Sequence, residues 1–155
     1  MVPKQKARRQ KAPAPRADGE LRAGILPTLI GYRLRLAQQA IFRDFAEHVP
    51  WLSPGRAGML ILVEANPGVT QSRLARAMSL DRSTMVGLVD VLEERGLLER
   101  RRGEDRRTNS LWLTRGGRQL LARVKRRIAE HEARVGSRLA APERAQLMSL
   151  LDKLR

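Results

Sequence analysis

The sequence predicts a mainly α-helical protein with one small β-hairpin, and three observations support this. Apolar residues recur at three- and four-residue steps through most of the chain, which is the spacing of one helix face. Two short runs, 97–101 and 109–113, have the composition and alternation of strands. The segment between them, 103–107, begins with glycine and is otherwise charged, as turns often are. The predicted order is therefore four helices, the hairpin, a long helix and a last helix.

The charge of the chain favours a polyanion as its partner. The 155 residues include 31 Lys and Arg against 16 Asp and Glu, a formal net charge of +15. Neutralising phosphates releases counterions, so nucleic acid is the first candidate and an anionic membrane the second. A coding bias towards arginine is the alternative explanation. The charge is clustered, however, in the first sixteen residues and around the hairpin, which argues for a binding surface.

Several classes of protein are disfavoured by what the chain lacks. It has no Cys, which excludes disulfides, thiol redox sensing and Cys-ligated metal. No apolar run approaches the ~18 residues of a membrane span, and the N-terminus lacks the apolar core of a secretory signal. We expect a cytoplasmic location. The two histidines, His48 and His131, are isolated in the sequence, and no Gly-rich phosphate loop or catalytic carboxylate pair is present. We therefore expect neither an enzyme nor a metal site.

Capping residues divide the helical part of the chain. Ser53 is a good N-cap and is followed by proline, which suits the first helical position. Thr70, Asp81 and Thr114 are predicted to cap the next helices, and Gly96 to end the one that begins after Asp81. The predicted regions are a basic disordered arm (1–18), an N-terminal dimerisation helix (19–50), a winged helix-turn-helix (51–114) and C-terminal dimerisation helices (115–155).

The helix pair and hairpin of the middle region form the predicted DNA-binding unit. In a helix-turn-helix the second helix places its first residues at base edges in the major groove. The preceding helix is then positioned to contact the DNA backbone, and an arginine at the hairpin tip to enter the minor groove. The predicted DNA-binding residues are Gln71, Ser72, Arg73, Arg82, Ser83, Thr84, Arg106 and Arg107, with Asp105 holding the orientation of the tip.

The rest of the exposed face of the second helix is poor in hydrogen-bond donors. We assign Val86, Gly87, Asp90 and Val91 to this face. A valine can touch a thymine methyl and a glycine allows close approach, but neither reads a base by hydrogen bonds. DNA shape is therefore expected to supply much of the specificity.

Taken together, these motifs resemble the MarR family of bacterial transcriptional regulators over roughly residues 20–155. The resemblance implies a homodimer, a palindromic operator, repression, and release by a small ligand. Members often carry Thr, Arg and Arg where this chain has Val86, Gly87 and Val91. This chain therefore departs from the family at positions that usually contact bases. The motifs are Leu74-Ala75, Asp81-Arg82-Ser83-Thr84, Leu88-Val89-Asp90-x-Leu92-Glu93-x-x-Gly96-Leu97, Glu104-Asp105-Arg106-Arg107 and Leu113-Thr114-x-x-Gly117.

The first two helices carry the residues expected at a ligand pocket, and no cofactor is predicted. The run 30–38, with the aromatic residues that follow it, is similar to family members that sense aromatic acyl-CoA thioesters. A simple aromatic carboxylate held by one arginine is the competing ligand, and core packing is the alternative role of each aromatic residue. The predicted ligand-binding residues are Tyr32, Arg33, Arg35, Phe42, Phe45 and Trp51, with His48 and Arg56 nearby in sequence.

A different class of function is an architectural, nucleoid-type protein that binds DNA through charge without choosing a sequence. The excess of positive charge would suffice for such binding. Binding to a promoter fragment and to random DNA at two salt concentrations separates the two functions.

Overall fold

The computed structural model describes residues 21–102 and 109–154, and it confirms a mainly α-helical fold with a small antiparallel sheet. The predicted arm (1–18) and the predicted tip residues Asp105, Arg106 and Arg107 lie outside the described residues. The helices are a 3-10 turn Leu26–Thr28, α1 Ile30–His48, α2 Pro54–Ala65, α3 Gln71–Ala77, α4 Arg82–Glu94, α5 Arg115–Gly136 and α6 Ala141–Asp152; the strands are β1 Val69–Thr70, β2 Leu98–Arg102 and β3 Asn109–Leu113.

The chain divides into two compact units after Ala37. In the described part of the first unit, the helix predicted within 19–50 begins only at Ile30. The residues before it form the 3-10 turn, with Pro27 inside it, and Leu29 is extended. Proline fixes its own φ and lacks an N–H, so it favours a short turn over the middle of a long helix.

In the second unit, all of the predicted helix caps are present. Each cap side chain accepts a hydrogen bond from the backbone N–H three residues later, which satisfies an amide left without a partner at the helix start. Gly96 follows the last residues of α4 with φ +65°, the left-handed conformation predicted for it. The caps and their donors are Ser53 from Arg56 (3.5 Å), Thr70 from Arg73 (3.4 Å), Asp81 from Thr84 (2.8 Å) and Thr114 from Gly117 (2.9 Å).

The sheet has three strands in the order β1-β3-β2, where the sequence predicted two. The additional strand β1 pairs Val69 with Leu111 of β3. It is only two residues long, too short for an alternating pattern to show in the sequence. The strand predicted from Leu97 begins one residue later, at Leu98, and pairs there with Leu113.

The hydrophobic core lies between α2, α4, α5 and the sheet. Met85, Val89 and Leu92 of α4, which recur at the spacing of one helix face, are buried, and Leu88 is partly buried. No residue of α6 is buried. The core of the second unit therefore consists mainly of winged-helix residues, together with the first half of α5.

The start of α5 is fixed against the end of α4 by a close backbone contact. The Thr114 hydroxyl donates to the carbonyl oxygen of Gly96 at 2.6 Å, while it caps α5. In the first turn of α5, Gly117 lies so near Leu97 that a Cβ at Gly117 would be 2.0 Å from the Leu97 carbonyl oxygen. Glycine is thus required at this contact.

Among the described helices, none combines the length and the apolar character needed to cross a membrane.

Candidate DNA interface

The start of α4 is organised by the carboxylate of Asp81. It accepts hydrogen bonds from the Ser83 hydroxyl (2.5 Å), the Thr84 backbone N–H (2.8 Å) and the Thr84 hydroxyl (2.6 Å). These bonds, led by that of the Ser83 hydroxyl, hold the pKa of Asp81 well below its usual range. Asp81 therefore stays ionised, and both hydroxyl protons are committed to it.

This arrangement restricts what Ser83 and Thr84 can offer to DNA. A hydroxyl whose proton is bound to Asp81 has only lone pairs left, so it accepts hydrogen bonds. In the major groove the donors are the amino groups of adenine and cytosine. The geometry thus favours base contacts over phosphate contacts for these two side chains, while the cationic Arg82 beside them suits a phosphate or a guanine.

A groove of about 540 Å³ between α3 and α4 brings several predicted DNA-binding residues together. Gln71, Ser72 and Arg82 all line it, and no acidic residue does so in the described part of the chain. The predicted Arg73 is exposed but does not line it. Arg76 and Asn109 also line the groove, although neither was among the predicted residues.

One donor in this groove has no partner. The Gln71 side-chain Nε2 is buried and makes no hydrogen bond within residues 21–102 and 109–154. A buried donor without an acceptor costs free energy, and a bound phosphate oxygen would supply that acceptor. The groove therefore combines two cations, Arg76 and Arg82, with an unmatched donor, as expected of a surface that meets DNA.

The hairpin is joined to α4 by a cluster of ionic contacts. Arg100 of β2 donates from one guanidinium nitrogen to Asp90 at 2.5 Å and from another to Glu93, and its backbone N–H donates to Glu93 at 3.1 Å. Burial acts to lower the pKa of Arg100, but the contacts with Asp90 and Glu93 outweigh it and raise that pKa. We call these three residues the Arg100 clamp.

The Arg100 clamp corrects the sequence interpretation of Asp90. The sequence assigned Asp90 to the free, exposed face of α4, whereas its carboxylate binds the hairpin. The separation of ten residues hides this contact from a helical pattern. The clamp neutralises Asp90 and Glu93 on α4, the recognition helix of the helix-turn-helix, and connects that helix to the hairpin.

Arg100→Gln is expected to weaken DNA binding about tenfold, or about 1.4 kcal/mol. The substitution leaves two carboxylates of α4 without their cation, and these then repel DNA phosphates. It also weakens the attachment of β2 to α4, which then rests on the backbone N–H of residue 100 and its contact with Glu93. Fluorescence anisotropy with a labelled DNA duplex measures the change. Arg126→Gln, which removes the same charge from an exposed site on α5, is the matched control; an equal loss in both variants would contradict the role of the clamp.

Three of the predicted ligand-binding residues lie in the first unit and are already engaged there. The Arg33 Nε donates to the Pro27 carbonyl oxygen at 2.6 Å. The Arg35 guanidinium lies 5.1 Å from the centre of the Tyr32 ring, within the range of a cation–π contact. Arg33 and Arg35 are both exposed, so their remaining donors face solvent.

The other three predicted ligand-binding residues, in the second unit, have different environments. Phe42 and Trp51 are 45% and 46% exposed, and are available for stacking. Phe45 is only 6% exposed and contacts the His131 ring edge-on, with 5.4 Å between ring centres. Phe45 is thus part of the core, which was the alternative role considered for it.

The sequence suggested that the two histidines are isolated, but in the structure both lie beside other polar groups. His131 is 2% exposed, and its Nδ1–H donates to the Asp44 carboxylate at 2.6 Å. Arg134 donates to both oxygens of that carboxylate, and the His48 Nδ1 lies 3.9 Å from it. Arg134 first, and His131 with it, lower the pKa of Asp44. This cluster joins α1 to α5. Asp44, Glu47 and His48 lie close enough together to offer ligand atoms to a metal ion, and the Asp44 carboxylate is already bound by Arg134 and His131.

The capped α4, the basic groove beside it and the clamped hairpin define a winged helix-turn-helix DNA-binding protein. A family model described as the MarR family matches residues 52–108. A protein of Thauera aromatica, described as a transcriptional regulatory protein for the hcr operon, is 40% identical over 139 residues, which cover 87% of this chain and 84% of that protein. The chain belongs to the MarR family of transcriptional regulators.

Solved structures agree with this assignment. The transcriptional repressor CouR bound to a 23-mer DNA duplex matches with a TM-score of 0.81 and 40% identity, over 87% of this chain and 98% of that one. CouR bound to p-coumaroyl-CoA matches with a TM-score of 0.82 and 38% identity, over 87% and 97% of the two chains. The PcaV regulator of Streptomyces coelicolor, in complex with its natural ligand, has a TM-score of 0.80 and 31% identity, over 86% and 96%.

Proposed function

We propose that this protein is a homodimeric repressor that binds a palindromic operator and is released by an aromatic acyl-CoA thioester or aromatic carboxylate. The observation that carries the proposal is the surface formed by the capped start of α4 and the groove lined by Arg76 and Arg82. In this proposal the protein acts in the cytoplasm, and it acts by binding DNA and not by catalysis. The similarity to a repressor solved with DNA supports the same function.

Base and backbone contacts are divided between the two helices in this proposal. Arg82, Ser83 and Thr84 meet base edges, whereas Gln71, Ser72 and Arg73 hold phosphates. Arg106 and Arg107, oriented by Asp105, would reach the minor groove from the hairpin tip. The structure of the α4 start supports the first part, because Asp81 fixes both hydroxyls there.

The homodimer is supported by large apolar side chains that the described part of a single chain leaves exposed. Contiguous exposed apolar surface marks an interface, and four of these side chains lie on α6 or directly after it. A two-fold dimer would bury it and present two recognition helices to the DNA. In the first unit these residues are Leu26, Leu29, Ile30, Leu34 and Leu36; in the second they are Ile41, Phe42, Leu147, Met148, Leu150 and Leu154.

Analytical ultracentrifugation at micromolar concentration is expected to give twice the 17.5 kDa mass of the chain. Leu150→Asp, an exposed site on α6, should shift the protein towards monomer and weaken operator binding, because half-sites ~10 bp apart need two linked copies. Asp152→Asn, a nearby polar change, should leave the mass unchanged. A monomeric wild type would contradict the dimer.

The effector is expected to bind the free protein and to lower its affinity for DNA. Aromatic acids and their CoA thioesters, including p-coumaroyl-CoA, can be screened by thermal shift. The effector should raise the unfolding temperature of the protein. The same compound should weaken DNA binding, because the two ligands are linked through one coupling free energy. A screen in which no compound changes DNA affinity would remove ligand release from the proposal.

A further inference from the structure

Asp81 controls the hydrogen-bond polarity of the two hydroxyl groups at the start of α4. An ionised carboxylate has no proton to give, so each hydroxyl that contacts it must be the donor. The Ser83 hydroxyl donates to one oxygen of Asp81 at 2.5 Å, and the Thr84 hydroxyl donates to the other at 2.6 Å. These contacts lower the pKa of Asp81, so the carboxylate stays charged and both protons stay in place.

The two hydroxyl oxygens can still accept hydrogen bonds. Ser83 and Thr84 are exposed, and each oxygen keeps its lone pairs once its proton is bound to Asp81. A phosphate oxygen on the DNA backbone is itself an acceptor, so it finds no proton at either hydroxyl. Among the groups on base edges in the major groove, only the exocyclic amino groups, adenine N6 and cytosine N4, are donors.

The neighbouring Arg82 has the opposite polarity. A guanidinium group only donates, so it suits a phosphate or the O6 and N7 atoms of guanine. Every base pair carries one amino group in the major groove, so the two hydroxyls restrict which strand carries it. A guanine or thymine at that place on the facing strand would set one acceptor against another, and unmatched acceptors in an interface cost free energy.

We propose that Asp81 is a specificity-determining residue that makes the start of α4 select adenine or cytosine by its amino group. Asp81 is a positioning residue in this account, since it acts through the hydroxyls of Ser83 and Thr84. The inference deepens the proposed function and rests on sequence-specific binding of an operator. The DNA interface has independent support from the groove beside α4, where the Gln71 Nε2 has no partner among the described residues.

Methylation of the base amino groups tests this polarity. In a duplex one amino hydrogen pairs with the opposite base, so a methyl group on that nitrogen replaces the hydrogen that faces the major groove. The promoter fragment of the protein's own gene is prepared unmodified, with N6-methyladenine for adenine, and with N4-methylcytosine for cytosine. Fluorescence anisotropy gives the affinity of each form. Wild-type protein is expected to bind at least one methylated form about tenfold or more weakly than unmodified DNA.

Variants without the hydroxyls separate their role from general effects of methylation on DNA. The double variant Ser83→Ala, Thr84→Val lacks both hydroxyls but keeps the backbone N–H that Asp81 caps. Its affinity ratio between unmodified and methylated DNA is expected to fall to about threefold or less.

Asp81→Asn tests the positioning role itself. Its amide oxygen can still cap α4, while its amide N–H takes a lone pair of the Thr84 hydroxyl and frees the proton. The affinity ratio should therefore fall at least about twofold from that of the wild type. A merely structural role for Asp81 would weaken binding to all forms of the DNA equally and leave the ratio unchanged. Asp152→Asn, which removes the same charge from an exposed position on α6, should keep the wild-type ratio.

Three results would overturn the role of Asp81. The first is a wild type that binds both methylated forms as tightly as unmodified DNA. The second is a double variant, shown to be folded by thermal unfolding, that keeps the wild-type ratio, and the third is the same result for Asp81→Asn. If the double variant does not fold, Thr84→Val alone carries the test, and an unchanged ratio in it contradicts the inference.

Random DNA of equal length separates this inference from the proposed function. If wild-type protein prefers the promoter over random DNA but is insensitive to amino methylation, the proposed function stands and the role of Asp81 is overturned. If it binds promoter and random DNA equally, sequence-specific repression fails, and the selection of amino bases fails with it.

Discussion

Replacing Gly117 with alanine is expected to lower the free energy of unfolding by about 3 kcal/mol or more, because the added methyl group has no space. Its carbon would lie 2.0 Å from the carbonyl oxygen of Leu97 and 3.0 Å from the carbonyl carbon. The neighbour is backbone and not a flexible side chain. It is fixed from both sides, since the Leu97 carbonyl accepts the Thr114 N–H and the Thr114 hydroxyl binds Gly96.

Urea unfolding followed by circular dichroism measures this effect. Gly58→Ala in α2 is the matched control, because outside its own stretch of helix no described atom lies within 4 Å of the position that the methyl group would take. That control should be neutral or more stable by up to ~1 kcal/mol, as alanine favours a helix over glycine. If Gly117→Ala were as stable as Gly58→Ala, the close contact between α5 and the turn after α4 would be wrong.

Arg107→Ala is expected to weaken operator binding by ~1–3 kcal/mol, the magnitude of losing a minor-groove or bidentate arginine contact. Arg107 lies outside the described residues, but β2 and β3, which lead to it, are paired up to Arg102 and Asn109. The Arg100 clamp ties the same β2 to the recognition helix. The described strands on either side of the tip are therefore held beside α4.

Electrophoretic mobility shift with the operator, at one fixed salt concentration, gives the change for Arg107→Ala. Asp105→Asn tests the orienting role separately and should give a smaller loss, since it leaves the cation present. Arg126→Ala controls for the loss of one charge. Unchanged affinity in Arg107→Ala would remove the hairpin tip from the mechanism.

Local sequence signals predicted the helix boundaries of the DNA-binding region well. Asp81, Thr114 and Gly96 act as predicted because caps depend on residues only a few positions apart. The buried face of α4 likewise follows from the three- and four-residue spacing of its apolar residues along the sequence. The strand β1 was missed because two residues carry no period.

Contacts between distant residues could not be predicted in this way. The Arg100 clamp joins residues that are seven and ten positions apart on different elements, and Asp44 meets His131 across 87 positions. The cavity lined by Trp51, Arg56 and Arg95 likewise depends on how the end of α4 packs near the start of α2. Only tertiary packing brings such groups together, so the sequence left Asp90 free and both histidines isolated.

The central claim is that this protein recognises a particular DNA sequence and does not bind DNA through charge alone. The most direct measurement compares its affinity for the promoter fragment of its own gene with that for random DNA of equal length, at about 50 and 200 mM salt. We predict tighter binding to the promoter at both concentrations, by about a thousandfold or more. Equal affinity and an equal salt dependence for the two DNAs would contradict the claim and indicate an architectural protein.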